Sequence, residues 1–126
     1  MKISPYLQFN GNCAEAVTFY EKAFGVTAKV YKESESFVTH AELDWGDGCI
    51  GLSDTPPDEE KSTFGNGGIS ISVSLTDTKE LMAVFEKLSA GGEVFEKPEA
   101  TEWCECFCTF EDKFGVNWSL ISGEKE

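Results

Sequence analysis

The chain has 126 residues, 40% hydrophobic and 13% aromatic, with 23 acidic against 10 basic side chains and a net charge of −13. This length fits one domain or two small modules sharing a core, and the acidic balance argues against nucleic acid, whose binding rests on Lys and Arg at phosphates. No apolar run approaches the ~20 residues of a membrane span, and residues 1–12 lack the apolar stretch of a signal peptide, so a soluble, cytoplasmic, acidic protein is expected.

Residues 3–9 read as a strand. The first helix is predicted over residues 13–24, with Asn12 as N-cap and Glu15 as the capping-box carboxylate. Ala16, Val17, Tyr20 and Phe24 recur at helical spacing, and Gly25 suits the left-handed residue after the last turn. Residues 26–33, rich in β-branched and aromatic side chains, read as a second strand. Residues 37–45 alternate, placing Phe37, Thr39, Ala41, Leu43 and Trp45 on one face and Val38, His40, Glu42 and Asp44 on the other. Asp47-Gly48 is a turn signal, and residues 49–53 make a short fourth strand. The first module, residues 1–54, is therefore β-α-β-β-β.

Residues 55–67, TPPDEEKSTFGNG, form a polar linker. In residues 68–75, Ile69, Ile71, Val73 and Leu75 alternate with Ser70, Ser72 and Ser74, the pattern of a half-buried strand. Sixty-five residues after Asn12 and Glu15 the cap recurs as Asp77 and Glu80, and Val84-Phe85-Glu86-Lys87 answers Phe19-Tyr20-Glu21-Lys22. The second helix, residues 78–90, buries Leu81, Met82, Phe85 and Leu88, and Gly91-Gly92 closes it. Strands follow near residues 93–96, 102–110 and 116–121, with Asp112 to Gly115 as the last turn. The second module, residues 68–122, repeats the order of the first and leaves a tail at 123–126. The expectation is a single α+β domain of two paired βαβββ modules, forming a curved half-barrel around a cavity.

Five cysteines, an odd number in a cytosolic setting, argue against a disulfide framework. Cys104, Cys106 and Cys108 suggest zinc, but alternate strand residues lie roughly 6.5–7 Å apart, whereas thiolates on one zinc converge to roughly 4 Å. Packing is the expected role.

His40 is the sole histidine, mid-strand beside Glu42, and an imidazole with a carboxylate nearby can act as general base. Read plainly, the two are exposed strand residues. As a metal pair they lack a third ligand unless Glu105 or a partner chain supplies one. Trp103, Glu105, Phe107 and Thr109 share one strand face opposite the cysteines, and Trp118 either joins them or faces a helix. Aromatic walls with a few polar groups describe a small-molecule pocket; the same aromatics would also serve as core.

The stretches SPYLQFNGNCAEAVTFYEKAFG, His40 to Leu43, Gly51 to Asp54 and DKFGVNW (Asp112 to Trp118) resemble the PhnB-like subfamily of the vicinal-oxygen-chelate superfamily, the glyoxalase, bleomycin-resistance and dioxygenase proteins. The resemblance covers nearly the whole chain. It implies the half-barrel, a homodimer, a cavity bordered by the His40 strand, and a metal held by one residue from the first and last strand of each module. Those four positions fall on Pro5, Gly51, Ser70 and Ser119, none a usual ligand, so no metal or other cofactor is expected. A methyltransferase name often attached to the subfamily finds no nucleotide-fold signature here. The functional expectation is metal-independent binding of a small molecule, ligand unknown, by His40, Glu42, Trp103, Glu105, Phe107 and Trp118. The alternatives are an enzyme with His40 as general base or atypical metal ligand, and an interaction module whose aromatics fill its own cavity.

Overall fold

The computed structural model describes residues 1–65 and 68–124, so the ends of the expected linker and tail lie outside the described residues. The elements run β1 (Tyr6–Phe9), α1 (Cys13–Phe24), β2 (Lys29–Ser34), β3 (Phe37–Asp44), β4 (Cys49–Asp54), β5 (Ile71–Leu75), α2 (Thr78–Leu88), β6 (Glu93–Glu99), β7 (Cys104–Glu111) and β8 (Asn117–Glu124). They divide into two compact units, Met1–Thr63 and Phe64–Glu126. Each holds one helix and one four-stranded sheet, ordered β1-β4-β3-β2 and β5-β8-β7-β6. In both sheets the first strand pairs parallel with the last, and the other pairs are antiparallel. The duplicated βαβββ pattern is thus realised as α+β.

In the first unit α1 buries Cys13, Ala16, Val17, Tyr20 and Ala23 on the side of the sheet that carries Leu7, Phe9, Val38, Ala41, Leu43 and Leu52, all buried. Each large apolar side chain so buried contributes about 1.5–3 kcal/mol. Gly25 closes the helix at φ 69°, its N–H on the Glu21 carbonyl. The N-terminus differs from expectation, because the Asn12 side chain makes no cap hydrogen bond. Asp54, at the end of β4, does that work: one carboxylate oxygen accepts from the N–H groups of Gly11 and Cys13, the other from Val38. A long-range carboxylate replaces the local cap because α1 starts directly beside the end of β4.

The expected faces of β3 are also corrected. Tyr31 pairs with His40 but Lys32 with Val38, a register shift that absorbs Thr39 as a bulge. Thr39 Oγ1 holds it by donating to the Tyr31 carbonyl at 3.0 Å. The bulge turns Val38 to the helix side with Ala41 and Leu43, away from His40 and Glu42.

In the second unit Asp77 caps α2 as expected, accepting from Glu80 N–H at 2.8 Å, while Glu80 Oε1 reaches back to Thr76 N–H at 3.1 Å. The helix stops at Leu88, short of the predicted residue 90, where Ser89 Oγ donates to the Phe85 carbonyl. β6 runs past the predicted residue 96 through Pro98. That is tolerated because β6 is an edge strand with shifted register. Strand starts also move: β1 begins at Tyr6, after a proline, and β2 at Lys29, because Val26 and Ala28 are engaged by Glu21 as the chain leaves α1.

Candidate functional site

Leu7 and Phe9 of β1 are buried on the α1 side, so Tyr6 and Gln8 point to the opposite face. Register sets a row on that face: Tyr6 lies beside Gly51, Gly51 beside Glu42, and Glu42 beside Lys29. Gly51 leaves room for the tyrosine ring; a β-carbon there would stand 2.5 Å from Tyr6 Cδ2. Crossing it, Tyr6 reaches His40, with Oη 3.1 Å from Nδ1 and ring centroids 5.8 Å apart at 19°. His40 Nε2 lies 3.1 Å from Glu42 Oε1. The Tyr31 ring stacks on His40 at 6.2 Å and 27°. The group is open to solvent: Tyr6 and Tyr31 are 50% and 60% exposed.

The structure thus brings together His40 and Glu42, singled out in the sequence, and adds Tyr6 and Tyr31. Tyr6 had one sequence signal, a glycine at the facing position of the fourth strand, which acquires meaning only once register is known.

In the second unit, Cys104, Cys106, Cys108 and Phe110 turn toward α2, with Phe110 edge-on to Phe85 at 5.6 Å. Glu105, Phe107 and Thr109 occupy the other face, as the alternation predicts. Trp103, just before β7, packs edge-on to Phe107 at 5.9 Å and is 52% exposed. Glu105 folds over Gly123, where a β-carbon would stand 2.6 Å from the carboxyl carbon.

Trp118 departs from that set. It pairs with Phe110 and is 1% exposed, so its ring belongs to the α2 side, and its Nε1–H donates to Asp112 Oδ2 at 2.8 Å. Asp112 Oδ1 also accepts from the N–H groups of Phe114 and Val116. The DKFGVNW stretch is accordingly a carboxylate-centred turn that fixes the start of β8 and holds the Trp118 ring in the core. A groove of about 590 Å³ opens here, its lining including Ser70, Phe95, Glu96, Thr109, Glu111 and Asn117, with Phe110 and the buried Trp118 contributing to its wall. Thr109 Oγ1 donates to Glu96 Oε1 at 3.4 Å.

The superfamily's metal does not fit these residues. Pro5 precedes β1 and only offers its carbonyl to Gly51 N–H; the residue opposite Gly51 is Tyr6. Ser70 precedes β5, and Ser119 pairs with Ser72. A phenol, a glycine and three serines are a poor donor set for a divalent metal. Among the described residues no group of three or more His, Cys, Asp or Glu side chains could hold a metal ion. Burial pushes the thiols of Cys13 and Cys108 up to about 12 and raises that of Cys106 as well.

Comparison with known proteins matches residues 2–120 to the family model Glyoxalase/Bleomycin resistance protein/Dioxygenase superfamily. Protein YjdN of Escherichia coli (strain K12) is 26% identical over 95% of this chain and 94% of its own. Among solved structures, protein PA1353 from Pseudomonas aeruginosa superposes with a TM-score of 0.86 at 31% identity, over 99% of both chains. The PhnB protein from Bacillus cereus gives a TM-score of 0.78 at 27% identity, over 98% of this chain and 100% of that one.

Proposed function

The chain belongs to the Glyoxalase/Bleomycin resistance protein/Dioxygenase superfamily, and from that premise we propose that it is a metal-independent binding protein for a small organic molecule, working as a homodimer. The groove in the second unit carries this reading. At about 590 Å³, with an exposed phenyl ring, two carboxylates, two hydroxyls and an amide in its lining, it has the size and mixed chemistry of small-molecule sites, roughly 300–1,000 Å³. Trp103, Glu105 and Phe107 extend the same sheet face along β7, and His40 and Glu42 are the corresponding polar groups of the first unit.

An interaction module with a self-filled cavity is less well supported, because Trp103 and Phe95 are more than half exposed. Catalysis by His40 as a direct base is also disfavoured, since both ring nitrogens already face hydrogen-bond partners. Methyl transfer has no support in two mixed four-stranded sheets, neither of them a doubly wound parallel sheet.

The test is a fragment screen by amide NMR on chelator-treated protein. Shifts clustered at Glu96, Thr109 and Glu111, abolished by a groove-filling Thr109→Trp that keeps the fold, support the reading. Binding that requires an added divalent metal, or shifts that avoid the groove, would defeat it. Light scattering should give twice the 13.9 kDa chain mass; a monomer at working concentration removes the dimer from the proposal.

A further inference from the structure

We infer that Tyr6, His40 and Glu42 form a hydrogen-bond relay, held open by Gly51, that presents the Tyr6 oxygen as the acceptor for a planar hydroxyl-bearing molecule such as a phenol or an enol. The inference rests on the small-molecule reading for a ligand having access to this face, and it assigns a binding atom that neither the motifs nor the family model supplies.

The direction of the relay follows from donor and acceptor counts. An ionised carboxylate only accepts, so at Glu42 Oε1, 3.1 Å away, the neutral His40 ring must place its proton on Nε2. Nδ1 then carries a lone pair, and Tyr6 O–H, 3.1 Å away, donates to it. With its single proton committed to His40, the Tyr6 oxygen offers only lone pairs outward. It therefore selects a ligand that donates a hydrogen bond. Both imidazole nitrogens are engaged, so His40 has no free nitrogen for the ligand and positions Tyr6, while Glu42 orients His40.

Two further features specify the ligand. The Tyr6 and Tyr31 rings both lie near-parallel to the His40 ring, at 19° and 27°, and both are half or more exposed, so the site offers flat aromatic surface beside the acceptor. Gly51 is what lets Tyr6 cross β4 to reach β3; any side chain there collides with the ring.

The chain has a single histidine, so ¹⁵N-histidine labelling reports on the relay without interference. In ligand-free protein near neutral pH, the neutral form of His40 should show the Nε2–H tautomer. Tyr6→Phe and Gly51→Ala should each shift the Nδ1 resonance while the amide spectrum remains folded. With 4-methylphenol as probe, protonated at neutral pH, the Nδ1 signal should move in the parent protein; 4-methylanisole, which has no hydroxyl, should leave it unmoved. Either variant should weaken 4-methylphenol binding by roughly 3- to 10-fold, the usual worth of one hydrogen bond.

An Nδ1–H tautomer in the free protein overturns the relay. Equal response to the phenol and its methyl ether, or no response to either, overturns the ligand class. Fragment shifts at the groove of the second unit are scored separately, so failure here and failure of the small-molecule reading give different results.

Discussion

The Tyr6 ring occupies the space that a side chain at Gly51 would need: a β-carbon at 51 would lie 2.5 and 2.7 Å from two of its ring carbons. The Gly51 backbone is not in the left-handed region, so alanine is conformationally acceptable and the ring alone stands in its way. In a double-mutant cycle followed by urea unfolding, Gly51→Ala should be neutral to destabilising in the parent. In a Tyr6→Ala background it should stabilise by about 0.5–1 kcal/mol, the usual gain over glycine in a strand. Equal effects in both backgrounds would show that the ring is not what glycine accommodates.

Asp54 ties the start of α1 to β3 through three backbone N–H groups, at 2.9, 3.0 and 3.0 Å, and is 4% exposed. Asp54→Ala orphans those donors and should cost about 2–4 kcal/mol. Asn12→Ala, at the expected cap whose side chain does not bond the helix, should cost less than the usual ~1 kcal/mol of a lost N-cap. Comparable losses in the two variants would return the capping role to Asn12.

Two tryptophans separate surface from core. Trp118→Ala removes a fully buried ring and its bond to Asp112, and should cost about 3–5 kcal/mol. Trp103→Ala loses only an exposed edge-on contact with Phe107, worth about 0.5–1.5 kcal/mol, and its larger effect should be on ligand affinity. Urea midpoints for both variants decide the matter; a stability loss at Trp103 as large as at Trp118 would place Trp103 in the core.

Cys13 and Cys108 have thiol pKa values raised from 9.0 to about 12 by burial. In unfolded chain they ionise near 9, so the unfolded state binds fewer protons than the folded state above that pH. Stability from these thiols is complete below about pH 9 and is lost as pH rises toward 12. Cys13→Ala and Cys108→Ala should flatten that alkaline decline in urea-unfolding midpoints. In native protein a thiol reagent at pH 8 should label Cys49 first, since Cys13, Cys104, Cys106 and Cys108 are buried; early labelling of any of those four would contradict the packing role.

The duplication was fully legible along the chain. Helical periodicity, the second cap at Asp77, the glycine after α1 and the alternation of Cys104 to Phe110 depend on neighbours a few residues away, so local sequence determined them. The same alternation placed Glu105 and Phe107 on the face away from α2. Four things were decided by partners distant in sequence. Asp54 took the cap from Asn12 because β4 ends beside α1. The Thr39 bulge, set by pairing with β2, moved Val38 to the helix side. Trp118 went to the core because it pairs with Phe110. Tyr6 met His40 because β1 pairs with β4, and β4 offers a glycine at that register. Strand pairing is a non-local choice, and a shift of one residue exchanges the two faces of a sheet. His40 and Glu42 could be picked out along the chain by residue type; that Tyr6 and Tyr31 share their face required the register.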